Sequence, residues 1–350
     1  MARVDLAVRD GSRDPCVLKQ MLRQLDGHRD ARIRFVREAR LASMLDHPNI
    51  ARLIEATEID DRLLIASEWV FGVTVEDIQK TLWSAGTSLR PALALGIATQ
   101  MLHALAHAHA LRDEEGREVG LVHRDLSTKN LMVGFDGVVK IIDFGVARGA
   151  VDDHRTATGM LMGTPLYMSP EQATGLRVDR RSDLYTVGVV LWEMLAGRRL
   201  IRVKGRPNML LSVVRDVAPP IRTLCPEAPP ELESALSRAL AKHPDERFPD
   251  ALSFHRALIP AVAAMGVIEP PDLGRFLKEL LPAREGEQLR LLSSARALSE
   301  EVEEGTAVST AFGSLPSTHR RTATRHRSAP GASPRRRDPR APESARAPAP

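Results

Sequence analysis

Asp125, Asn130 and Asp143 carry the clearest chemical signal in this chain. The first two lie in His123-Arg124-Asp125-Leu126-Ser127-Thr128-Lys129-Asn130, and the third opens Asp143-Phe144-Gly145. Between them, Leu131-Met132-Val133 and residues 138–142 flank Asp136-Gly137, the signal of a tight hairpin. A hairpin turns the chain back on itself, so all three side chains arrive at one end of the same short sheet. Two carboxyl groups and an amide gathered there suit Mg²⁺, a hard ion that takes oxygen ligands. A lone Asp-Phe-Gly would say little; the ordered set around a hairpin is specific.

The elements that must position this set can be read from periodicity. Residues 3–9 alternate apolar and polar and predict a half-buried strand, followed by a turn at Asp10-Gly11-Ser12 and a short strand at Cys16-Val17-Leu18. Helical spacing of Ile33, Val36, Leu41, Met44 and Leu45 predicts a helix over 31–46, ended by His47-Pro48 because proline disfavours helix before it. Residues 50–56 and 62–69 read as two more strands. From about residue 73 the pattern turns helical: 91–111 with Pro91 in the first turn, 182–196 capped by Ser182, then 230–240 and 250–264. Residues 272–281 and 286–304 predict an amphipathic helical extension.

Composition narrows the class. Apolar residues are 43% and charged residues 27% of 350, as in ordinary globular proteins. Two cysteines, Cys16 and Cys225, exclude a disulfide scaffold and suit a reducing cytoplasm. No apolar run is long enough to predict a membrane span, and the N-terminus has no signal-peptide core. His103 and His107 have a metal-compatible i,i+4 spacing, but without a third ligand they read as ordinary helix histidines. Charge is uneven. Residues 317–350 hold nine arginines against Asp338 and Glu343, while the whole chain is only +4, so the rest is net acidic. With six prolines and no periodicity, that tail reads as disordered, with weak polyanion binding expected of it.

Residues 123–130 and 143–145 resemble the catalytic loop and metal-binding triplet of eukaryotic-type (Hanks-type) protein kinases. Gly163-Thr164-Pro165-Leu166-Tyr167-Met168-Ser169-Pro170-Glu171 resembles the end of that family's activation segment. Residues 183–188 resemble the start of its central buried helix, and Arg247 matches the arginine that pairs with the Glu171 position. The resemblance covers roughly residues 1–262 and is closest to bacterial serine/threonine kinases. It implies an α+β, two-lobed fold: a small β-rich lobe over 1–66, a hinge at 67–72, and a larger helical lobe over 73–265. The extension (266–304) and the tail (305–350) would follow.

The resemblance also implies roles. ATP and Mg²⁺ would bind between the lobes, and protein Ser/Thr hydroxyls would receive the γ-phosphoryl group. Asp125 would orient the hydroxyl and take its proton, and Asn130 and Asp143 would hold the metal. Lys19, in Cys16-Val17-Leu18-Lys19, would reach the phosphates and be held by Glu38. Strand alternation puts Val17 and Lys19 on one face, with Val17 and Val4 over the adenine. The backbone of Glu68 and Val70 would bond the base, with Met132 among the nucleotide contacts and the small Ser67 controlling the back of the pocket. Thr156 and Thr158 would be activation-segment phosphosites read by Arg124. One departure stands out: Ser127 occupies the place where serine/threonine kinases usually carry lysine, and Lys129 would offset the moving charge instead.

Met1-Ala2-Arg3-Val4 resembles the second half of the family's glycine-rich loop. The expectation is that the strand at 3–9 is left as an open sheet edge and that the true start lies upstream. The alternative reading is a pseudokinase acting as a nucleotide-binding or scaffold module. The expected setting is cytoplasmic, with protein substrates as partners.

Overall fold

The computed structural model describes residues 3–8, 14–20, 39–59, 62–144, 165–203, 205–303 and 313–314. All lie within one compact unit spanning Met1–Leu315; Pro316–Pro350 form a second unit.

A five-stranded antiparallel sheet, in the order β3-β4-β2-β1-β8, forms the smaller side of the cleft. Its strands are β1 (Arg3–Val8), β2 (Pro15–Gln20), β3 (Leu53–Ile59), β4 (Arg62–Glu68) and the two-residue β8 (Gly313–Ser314). Register fixes what shares a face: Val4 lies opposite Lys19, Leu6 opposite Val17, Lys19 opposite Ile65, and Val17 opposite Ser67. Directly opposed residues point the same way, so these six side chains line one face. Two expectations change here. The outer edge of β1 is covered at its middle, where Asp5 and Leu6 pair with Ser314 and Gly313. That pairing also puts a strand inside the segment 305–350, read from the sequence as a tail. The strand expected from residue 50 begins at Leu53; Ile50 instead bridges Ile141 on the other side of the cleft. Of the helix expected over 31–46, the described part is helical at 39–43.

A second sheet, β5-β6-β7, comprises Gly72–Thr74, Leu131–Gly134 and Val139–Ile141. The predicted hairpin is β6–β7. Strand β5, too short to show a period, was hidden in the sequence. On this sheet pack α1 (Val75–Ser84) and α2 (Pro91–His109), and beyond them follow α3 (Pro170–Thr174), α4 (Arg180–Ala196), α5 (Arg206–Arg215), α6 (Pro230–Ala239) and α7 (Ala251–Met265). α2 and α4 are apolar nearly all round and form the centre of the core, with Leu93, Ile97, Met101, Leu105, Leu184, Val190 and Leu195 almost fully buried. α4 starts two residues before the sequence predicts, and its cap is Asp179, which accepts from the Arg181 N–H, not Ser182. The Ser182 hydroxyl is buried and donates to the Glu171 carboxylate instead. The helical extension is α8 (Pro270–Leu280) and α9 (Pro282–Glu303). Among the described residues no single helix is long and apolar enough to cross a membrane.

Candidate active site

The loop 123–130 is held from below by the first turn of α4. Asp183, almost fully buried, accepts from the backbone N–H of His123 (2.9 Å) and of Arg124 (3.1 Å). Its Oδ2 also meets His109 Nε2 at 2.8 Å. Burial alone pushes the Asp183 pKa up, but the bond with His109, the imidazoles of His109 and His123 and the backbone donor outweigh it. The net effect holds the carboxyl below its ordinary value. A charge so placed is tolerated because every donor around it converges.

This anchoring sustains an unusual backbone. Arg124 (φ 63°) and Asp143 (φ 61°) are the non-glycine residues with positive φ among those described. Such a conformation costs on the order of 1–3 kcal/mol at each position and persists only where the surroundings enforce it. Around Arg124 they do: Asp183 takes its N–H, and Gln172 Nε2 donates to its carbonyl at 2.8 Å. The result turns the next residue, Asp125, whose N–H donates to His123 O (2.8 Å). Farther along the loop, Thr128 Oγ1 lies 2.7 Å from the Tyr167 hydroxyl. That hydroxyl donates to Glu193 Oε2 (3.0 Å) and is approached by Arg199. Burial, reinforced by the Glu193 charge, raises the Tyr167 pKa far above the ordinary phenol range, so it stays a neutral donor.

Asn130 and Asp143 bracket the hairpin as expected. Asn130 Nδ2 donates to Asp125 O at 2.9 Å, and the Ile142 N–H donates to Asn130 O at 3.0 Å. With Nδ2 committed, Oδ1 is the atom of Asn130 that can ligate a cation. Lys19 Nζ donates to Asp143 Oδ2 at 2.9 Å, across 124 residues of sequence. The Asp143 side chain keeps 38% of its surface exposed, enough to receive a ligand. A carboxylate and a carboxamide oxygen are hard donors, so this pair fits Mg²⁺. Phe144 is buried with its ring edge-on to His123, centroids 4.7 Å apart.

Lys19, Leu45, Ile65, Ser67, Asp143 and Phe144 line a pocket between the five-stranded sheet, the segment 42–50 and the Asp143-Phe144 pair. Ser67 is one of its lining residues. Val4 is partly exposed, Val17 and Met132 are half-buried, and Val70 is buried. The Glu68 side chain turns away from the pocket to pair with Lys140 (2.9 Å), and its N–H donates to Arg52 O (2.9 Å). Its carbonyl is thus what Glu68 can offer a base. Lys129 and Arg124 are exposed on the loop. Glu38, Thr156, Thr158, Gly145, Gly163 and Thr164 lie outside the described residues, so the Lys19 partner seen here is Asp143. His103 and His107 each face another imidazole: His255 at 4.6 Å and His47 at 5.2 Å between centroids.

Glu171 and Arg247 pair as expected. Two parallel bonds of 2.8 Å join them, both side chains are almost fully buried, and Arg247 also donates to the carbonyls of Ala241, Arg181 and Lys242. Sequence reasoning missed His109 and the anchoring role of Asp183. Their separation of 74 residues leaves no local signal, although an aspartate opening so apolar a helix is itself a clue.

A family model described as the protein kinase domain matches residues 1–259. The chain is 36% identical over 253 residues to the tyrosine-protein kinase MasK of Myxococcus xanthus, covering 71% of this chain and 38% of that one. It is 35% identical over 218 residues to the serine/threonine-protein kinase PrkC of Bacillus subtilis, covering 62% and 32%. Among solved structures, the PknI kinase domain of Mycobacterium tuberculosis superposes with a TM-score of 0.58 at 25% identity, covering 75% of this chain and 91% of that one. The chain spans well under half the length of the curated relatives it matches.

Proposed function

Because the chain belongs to the protein kinase family, we propose that it transfers the γ-phosphoryl group of ATP to serine and threonine hydroxyls of proteins. The observation that carries this reading is the Lys19–Asp143 pair, together with Asn130 bonded to the Asp125 backbone on a loop that Asp183 holds in a strained form. Phosphoryl transfer asks a protein mainly for positioning and charge neutralisation. Asp125 accepts the proton of the incoming hydroxyl, and the bonds around His123 and Arg124 fix the backbone that carries its carboxyl. Lys19, now paired with Asp143, is placed to hold phosphate oxygens. Asp143 and Asn130 Oδ1 would hold Mg²⁺, which when bound neutralises phosphate charge. Lys129, exposed four residues after Asp125, offsets the charge that moves with the phosphoryl group. The presence of Lys19, Asp125, Asn130 and Asp143 together favours catalysis over a pseudokinase scaffold.

Ser127 in the usual lysine place, and a relative named as a tyrosine kinase, favour tyrosine as a second acceptor reading. Against it, the sequence Gly163-Thr164-Pro165 is of the serine/threonine type. Phosphoamino-acid analysis of a generic protein substrate labelled from radioactive ATP decides. Label on serine and threonine is expected; label confined to tyrosine overturns the acceptor assignment.

A further inference from the structure

The helices α8 and α9 lie beyond residue 259, where the match to the family model ends. They touch three elements that carry the residues of the site. First, α8 is seated on the turn of the β6–β7 hairpin, backbone against backbone. A Cβ on Gly137 would fall 1.6 Å from Pro270 O, and one on Gly274 would fall 2.5 Å from Phe135 O. This is the hairpin that sets the spacing of Asn130 and Asp143. Second, α9 runs against β1, the strand of Val4. Third, Gln288 on α9 bonds both backbone groups of Gly72: the Gly72 N–H donates to Oε1 at 3.0 Å, and Nε2 donates to Gly72 O.

The chemistry of that third contact is specific. Gly72 opens β5, an edge strand, two residues beyond Val70. Phe71 O accepts from the Phe135 N–H, so Phe71 faces β6 and the next residue offers its N–H and C=O to the open edge. A primary carboxamide carries one acceptor and one donor side by side. It therefore fills that edge as one peptide group of a further strand would. Glutamate lacks the donor and asparagine is a methylene short.

We propose that α8–α9 is a built-in brace of the nucleotide cleft, and that Gln288 is its positioning residue, acting on the hinge through its two bonds to Gly72. The inference rests on the kinase reading, since it concerns the segment that would present Glu68 and Val70 to a base. Fixing Gly72 from α9 fixes the path of the chain just before it. The brace thereby sets nucleotide affinity rather than the transfer step.

The test uses the full chain with Gln288→Ala and Gln288→Glu, and Arg296→Ala as an exposed control on the same helix. Three quantities are read: the Kd of a fluorescent ADP analogue, kcat and KM for ATP, and hydrogen exchange of the peptide covering 68–73. Both Gln288 variants are expected to weaken nucleotide binding roughly three- to tenfold, the size of one or two hydrogen bonds. KM for ATP rises in parallel, kcat changes less than about twofold, and the 68–73 peptide exchanges faster. The control stays at wild-type values. Unchanged Kd, with or without faster exchange, overturns the proposal. A fall in kcat and melting temperature without a selective rise in KM also overturns it, since that marks a merely structural residue. If the wild-type chain neither binds nucleotide nor transfers phosphate, it is the kinase reading that fails, and the exchange arm alone then decides whether the brace exists.

Discussion

The two walls of the cleft are held in different ways. On the helical wall, the loop carrying Asp125 is tied down by buried bonds to Asp183, Gln172 and Tyr167, and the Glu171–Arg247 pair locks the helices behind it. On the sheet wall, the tie of Lys19 among the described residues is an ion pair to the partly exposed Asp143. A buried charge is costly to leave unpaired, whereas a part-exposed one is cheap to rearrange. The loop carrying Asp125 is therefore held firmly by its surroundings, whereas the Lys19 ammonium can exchange Asp143 for another anionic partner at little cost. The extension sits between these regimes, fastening the hinge that joins the walls.

The difference can be broken on either side. Arg247→Ala leaves the Glu171 carboxylate buried without its partner and should cost about 3–5 kcal/mol, read as a large drop in the denaturation midpoint. Retention of wild-type stability would mean that the helical wall is not locked as described. Asp183→Asn keeps an acceptor but loses the charge, and should cost about 1–3 kcal/mol at neutral pH. The sign of its pH dependence follows from the depressed carboxyl. The Asp183 contribution is fully present above the unfolded value of about 3.9 and is lost as pH falls through the lower folded value. The stability gap between wild type and variant should accordingly narrow on acidification below about pH 4; a gap that widens would contradict the assignment. Lys19→Met is the smallest in stability, within about 1 kcal/mol, because the pair it removes is part-exposed. It should nevertheless abolish measurable transfer. A stability loss as large as that of Arg247→Ala would erase the distinction between the walls.

How much of this was legible in the sequence follows the same division. The loop, the hairpin and the triplet are contiguous, so residue order alone placed Asp125, Asn130 and Asp143 together. Lys19 and Arg247 were legible through the family resemblance of their motifs, with strand alternation adding only that Val17 and Lys19 share a face. What stayed hidden depends on contacts across long separations or on single polar atoms. Ser182 looks like a cap because it precedes an apolar helix, yet its hydroxyl is spent on Glu171, and Asp179 caps instead. His109 reads as one more histidine on α2. Gln288 lies 216 residues from Gly72, and nothing local in α9 announces that it grips a strand edge. The pairing of Gly313–Ser314 with β1 is two residues long, below any periodic signal.

One paired measurement tests the proposed role of Asp125 as the proton acceptor on this firmly held loop. Wild-type chain and Asp125→Asn are compared for phosphate transfer from radiolabelled ATP to a generic protein substrate with Mg²⁺, alongside their melting temperatures. The substitution removes a proton acceptor and almost no volume. Turnover should fall by about 10²-fold or more, the scale of general-base catalysis, with melting and nucleotide binding nearly unchanged. A variant that keeps more than about a tenth of wild-type turnover would contradict the role given to Asp125.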